Sequence, residues 1–135
     1  PLGATSDKLD GELGLLLIPF PYRISKTSFR SAGEEAGGHW GWFDAEQNWL
    51  PKPEDSVRRE EFVRFVQGLI KKARASGQLV SGVVFPELSL DYDLFLQVGN
   101  ALAKDEGIDF IISGISSDKG GRPGNFVAIA PFFSF

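Results

Sequence analysis

Apolar positions along the chain fall into two rhythms. Gly14-Leu15-Leu16-Leu17-Ile18 is a continuous apolar run stopped by Pro19, the pattern of a strand buried on both faces in a layered α/β domain. A second run, Leu79-Val80-Ser81-Gly82-Val83-Val84-Phe85, stops at Pro86, whose missing N–H cannot continue a ladder. Ile108 to Ile115 and Phe126 to Ala130 read as two further strands, joined by a polar, glycine-rich turn from Ser116 to Gly124. Between the first two runs, Phe62, Phe65, Val66, Leu69, Ile70 and Ala73 recur at three- and four-residue spacing, one face of an amphipathic helix. Pro53-Glu54-Asp55-Ser56 has helix-start chemistry, Lys71, Lys72 and Arg74 complement the negative end of the dipole, and Gly77 is a natural C-cap. A second helix has the face Leu94, Phe95, Val98, Ala101 and Leu102, with Asp91 or Ser89 as cap and Gly107 closing it.

The resulting order is strand, long loop, helix, strand, helix, strand, strand. Strands alternating with helices imply right-handed crossovers and a largely parallel sheet, and the last two strands, closely linked, form an antiparallel hairpin. The expected class is α/β, a mixed sheet with helices packed on it, as one domain over residues 1–135. Residues 20–53 form a long irregular insertion containing Trp40, Trp42 and Trp49 with Phe43 beside them, a flap that packs through its own aromatics.

Charge narrows the function. A net charge of -4 and scattered basic residues argue against phosphate-backbone binding, which clustered Lys and Arg drive, so nucleic acid is not an expected partner. The longest apolar run, Leu13 to Phe20, is far short of the ~20 residues of a membrane-crossing helix and lacks signal-peptide flanks, so no membrane is expected and the cytoplasm is the default location. With no cysteine there are no disulfides. A chain that opens on Pro1, contains no methionine and closes on Pro131-Phe132-Phe133-Ser134-Phe135 reads as part of a longer protein, with apolar surface and self-association or a partner domain expected at its carboxyl-terminal edge.

In α/β sheets reactive residues sit at the carboxyl ends of strands. Glu87 stands there, in Phe85-Pro86-Glu87-Leu88, placed by a rigid proline and expected to be partly shielded from water, which suits a carboxyl to act as a base. By position alone the favoured reading is a solvated strand-end acid or a helix-capping partner, and only the resemblance below reverses that preference. Other candidates carry less. His39 has no second His or Cys to build a zinc site with, Asp91 and Asp93 do not share a helix face, and Gly114 to Gly124 has neither P-loop nor dinucleotide spacing. No metal or cofactor is expected.

Val83-Val84-Phe85-Pro86-Glu87-Leu88 resembles the strand that ends in the catalytic glutamate of the nitrilase superfamily of carbon-nitrogen hydrolases. Asp109-Phe110-Ile111-Ile112-Ser113-Gly114, a turn, and Gly124-Asn125-Phe126-Val127-Ala128-Ile129 are similar to the strands that follow it, so the ordered likeness covers about residues 57–131. It implies part of a nitrilase-like layered sandwich, with Glu87 as the base of a Glu-Lys-Cys triad that cleaves a non-peptide amide or nitrile bond. A thiolate attacks carbon, the glutamate manages the proton, and the lysine stabilises the tetrahedral intermediate. The family's lysine follows the strand containing Asn125 and its cysteine comes later, so neither is carried over; Lys119 precedes Asn125 and is read as a solvated turn residue. Pro86 and Asn125 are expected to be structural near the site, Asn125 by fixing the turn through side-chain to backbone bonds. Tyr92 is placed as a pocket-lining substrate contact, with packing on the helix's first turn as its other reading. The chain alone is expected to be inactive for want of a nucleophile. The Trp-containing insertion is not typical of the family, leaving a non-catalytic binding or regulatory module as the alternative, and an α/β nucleotide-binding domain as a third.

Overall fold

The computed structural model describes residues 12–31 and 43–132. Its main sheet has four strands in the order β1-β4-β5-β6: β1 Leu15–Leu17, β4 Gly82–Val84, β5 Phe110–Ser117 and β6 Pro123–Pro131. β1, β4 and β5 run parallel, while β5 and β6 form an antiparallel hairpin with a bulge between Ile115 and Ser117. The protein is therefore mixed α/β, with a mixed sheet and two helices, α1 Ser56–Ala75 and α2 Tyr92–Leu102. Neither helix is long and apolar enough to cross a membrane.

Local chemistry sets the helix ends. The Asp55 carboxylate accepts the Arg58 N–H at 3.1 Å and starts α1. At its other end the N–H of Gly77, in the left-handed region at φ 79°, reaches the Arg74 carbonyl, and that of Gln78 reaches Ala73, the paired bonds of a Schellman stop. The α2 cap is Asp91, whose Oδ1 accepts the Leu94 N–H at 2.7 Å. Arg74 does more than complement its helix end: it pairs with Asp105 at 2.7 Å and donates to the Glu106 carbonyl, tying α1 to the loop after α2.

The chain steps from β1 to β4 to β5 in one direction across the sheet. Crossovers of one hand in one direction put both helices on the same face. The core agrees: Phe62, Val66 and Ile70 of α1 and Leu94, Phe95, Val98 and Leu102 of α2 are buried with Val83 and Ile111. Leu16, Val83, Ile111 and Ala130 pair across the four strands and so share that face. Phe65, expected on the buried stripe, is 41% exposed and instead meets Tyr22 edge-on at the rim.

Among the described strands the first apolar run is thus an edge strand, exposed on one face rather than buried on both. Its alternate residues Leu15 and Leu17 are 47% and 66% exposed, because they point to the face that no described element covers. Leu17, Val84, Ile112 and Ile129 line up on that face, and Val127 stands beside Gly114. Val127 and Ile129 are 72% and 63% exposed on a strand with no charged residue, a combination that favours association between chains. Light scattering is expected to show self-association that diminishes when both become lysine; a wild-type monomer at all concentrations would sink this expectation.

The segment read as an irregular loop contains a 3-10 turn, Lys26–Ser28, and a two-stranded antiparallel ladder, β2 Phe29–Ser31 with β3 Phe43–Ala45. Three-residue strands are too short to carry a legible alternation. Trp49 is half-buried and its indole N–H donates to the Ser89 carbonyl at 3.3 Å, so this part of the segment packs on the domain. Trp40, Trp42 and His39 lie outside the described residues.

Candidate functional site

β4 ends at Val84, and Phe85 and Pro86 carry the chain to Glu87 at the carboxyl end of the parallel strands. The turn then folds over β5 at Gly114. A Cβ on Gly114 would stand 2.5 Å from Glu87 Cα and 2.7 Å from both Leu88 N and Pro86 O, so only glycine admits the turn this close. The two backbones are also bonded: Gly114 N–H donates to the Pro86 carbonyl at 3.1 Å, and the Gly114 carbonyl accepts from Ser89 at 3.0 Å and Leu90 at 3.3 Å. Leu88 sits at φ 52°, a left-handed conformation that costs a leucine about 1–2 kcal/mol.

Several side chains hold that conformation. Gln47 Nε2 donates to the Leu88 carbonyl at 2.6 Å and to the Leu90 carbonyl at 3.2 Å, while its Oε1 accepts from Ser116 Oγ. Trp49 reaches the Ser89 carbonyl, and Ser89 Oγ donates to the Phe20 carbonyl at 2.5 Å. The Glu87 turn is therefore gripped by β5 on one side and by residues 47–49 on the other.

Asn125 Nδ2, on β6, donates to Glu87 Oε1, joining residues 38 positions apart in the chain. Phe85, Pro86, Ile112, Gly114 and Val127 surround this pair in a cleft of about 400 Å³. The cleft is an apolar recess with one carboxylate and one carboxamide, on the sheet face opposite the helices. The carboxylate keeps acceptor capacity for a further donor beyond Asn125.

Two expectations about these residues change. Glu87 is exposed, not shielded, because no described element covers the sheet face it leans over. The turn-fixing role expected of Asn125 belongs to Asp118, whose Oδ1 accepts the N–H of Gly120 at 2.9 Å and of Arg122 at 3.0 Å. The Arg122 N–H, with smaller help from the Gly120 N–H and the Arg122 charge, holds the Asp118 carboxyl below its ordinary 3.8. A carboxyl whose folded-state value is depressed stabilises above its unfolded value and loses that contribution as pH falls through the lower one. Amide signals of residues 118–122 are accordingly expected to stay constant down to about pH 4 and to shift below it; a transition above pH 5 would contradict this assignment.

Tyr92 does not line the cleft. Its ring is partly buried against the core and its N–H donates to Ser117 Oγ at 3.2 Å, so the packing role is the one found. Lys119 is exposed in the β5–β6 turn, away from the cleft. Asp91 is held by the buried Arg59 of α1, which stands in the sequence among Arg58, Glu60 and Glu61. Among the described residues no three His, Cys, Asp or Glu are grouped to hold a metal.

A larger groove of about 510 Å³ runs between α1 and α2 over Val63 and Ala101, rimmed by Glu60, Arg64, Asn100 and Lys104. Its rim is exposed and carries both signs of charge, so it selects no ligand class. Comparison with known proteins found no matching family model, curated protein or solved structure.

Proposed function

We propose that the chain is the amino-terminal portion of a nitrilase-type carbon-nitrogen hydrolase domain, with Glu87 as the general base toward a small amide or nitrile. The observation that carries this reading is the Glu87–Asn125 hydrogen bond beside an apolar-walled cleft at the strand ends. These are the two polar residues that the ordered resemblance brings into the neighbourhood of the chemistry. An apolar sheet face that no described element covers is also consistent with a layered sandwich, in which a second sheet packs about 10 Å away. Such a layer would shield Glu87, which now stands exposed. Lysine and cysteine partners are required for the reaction, and 1–135 contains no cysteine.

The test is the full coding sequence. A lysine following β6 and a cysteine at a later strand end are expected, and its product is expected to hydrolyse small amides or nitriles. Glu87→Gln should lower turnover by roughly 10²–10⁴-fold, the range of general base catalysis. Equal turnover by the variant, or a complete gene without the two partners, overturns the reading.

The exposure of Glu87 favours a second reading, a non-catalytic module with the tryptophan-containing segment, residues 20–53, as its contact surface. It predicts a complete gene with no nucleophile and a partner whose binding is lost on Trp49→Ala.

A further inference from the structure

We infer that Gln47 is a positioning residue for Glu87: through the Leu88 turn it sets where the carboxylate stands relative to Asn125. The inference rests on reading Glu87 as the functional acid. Both Gln47 amide protons are directed at that turn, one to the Leu88 carbonyl at 2.6 Å and the other to the Leu90 carbonyl at 3.2 Å. The amide oxygen accepts from Ser116 Oγ on β5, whose own N–H donates to the same Leu90 carbonyl at 3.0 Å. One side chain thereby spans three points: the residue after Glu87, the residue before the α2 cap, and the strand that pairs with the Asn125 strand.

The attachment has consequences because Leu88 occupies a left-handed conformation that a leucine does not hold unaided. Released from the Leu88 carbonyl, the backbone relaxes toward negative φ, and the adjoining Glu87 Cα must move. Gly114 blocks motion in one direction only, since it supports the turn from the sheet side. Gln47 itself is well placed to resist: the neighbouring Glu46 N–H donates to the Ser28 carbonyl at 2.7 Å, and β3 is paired with β2 just before it. A carboxamide meets this geometry and a carboxylate does not, because a carboxylate has no N–H to donate.

A purely structural tether would behave differently. Losing it would loosen residues 43–50 and leave Glu87 where Gly114 holds it. The side-chain amide signals of Asn125, which donates to Glu87, separate the two cases in an isotope-labelled 135-residue chain, with Glu87→Ala marking the position of a broken bond. Gln47→Glu keeps the side chain's size and removes both donors. Its Asn125 signals are expected to move most of the way to the Glu87→Ala position. Ser116→Ala, which removes only the bond to the amide oxygen, is expected to move them in the same direction by less, and Trp49→Phe to leave them in place. Asn125 signals that stay at the wild-type position in both Gln47→Glu and Ser116→Ala overturn the inference. If Gln47→Glu does not fold, Ser116→Ala decides alone. Turnover of the full-length protein reads the hydrolase proposal separately. Activity lost on Glu87→Gln, with Asn125 unmoved in both Gln47→Glu and Ser116→Ala, sinks only the positioning role.

Discussion

Arg59→Ala is expected to destabilise the protein by about 3–5 kcal/mol, the loss found when one partner of a buried ion pair is removed. For a domain of this size that is a fall of roughly 12–20 °C in melting temperature. Arg59 is 2% exposed on α1 and all of its described bonds go to groups that have been taken partly out of water. Nη1 donates to Asp91 Oδ1 at 3.1 Å, Nη2 to Asp91 Oδ2 and to the Pro51 carbonyl at 3.1 Å, and Nε to the Lys52 carbonyl at 3.1 Å. Asp91 in turn caps α2, so the same carboxylate ends one helix contact and begins another helix. Alanine would leave a carboxylate and two carbonyls without the donor they share. Arg59→Lys should recover only part of the loss, because a single ammonium cannot reproduce the guanidinium fork. Urea unfolding measures both variants. A loss under about 1 kcal/mol, the range of exposed pairs, would show that the network is not the anchor described.

Gly114→Ala is expected to have the next largest effect, about 1–3 kcal/mol of destabilisation from overpacking together with loss of the Glu87–Asn125 bond. The added methyl meets main-chain atoms of the Glu87 turn rather than the flexible end of a side chain, so nothing local can rotate away. Gly68→Ala is the matched control. Nothing lies within 4 Å of a Cβ at that exposed helical position, and removing glycine from a helix interior should stabilise by about 0.5–1 kcal/mol. If both substitutions moved stability in the same direction, the close approach at Gly114 would not be the cause. Because the two glycines differ in surroundings and not in chemistry, their opposite signs would isolate the turn's contact with β5.

Much of the scaffold is legible from residue order alone. The buried stripe of α1, its Asp55 start and Gly77 stop, the Asp91 cap and the β5–β6 hairpin all follow from local periodicity and backbone chemistry, which the chain writes within a few residues. Glu87 could be located at a strand end for the same reason. What stayed hidden depends on distant partners. Arg59 sits among Arg58, Glu60 and Glu61, and only the arrival of Asp91 distinguishes it from its neighbours. Gln47 has no local signal, since its three contacts lie on residues 88, 90 and 116. The left-handed backbone at Leu88 is invisible because leucine seldom adopts it. The exposure of one sheet face among the described residues is hidden for a related reason: an apolar run reports that its side chains favour burial, not which element covers them.

The unequal lengths of the strand pairings carry a consequence for motion. β5 and β6 share a ladder from Phe110 to Ser117, whereas β1 pairs with β4 over three residues, Leu15 to Leu17, flanked by bonds at Gly14 and Ile18, at the edge of the described sheet. Amide hydrogen exchange should therefore be graded across the sheet, slowest in β5 and fastest in β1, because short edge pairings open without global unfolding. Each such opening would also tug on Phe20, whose carbonyl accepts the Ser89 hydroxyl, so the fraying of the first strand would be felt two residues from Glu87.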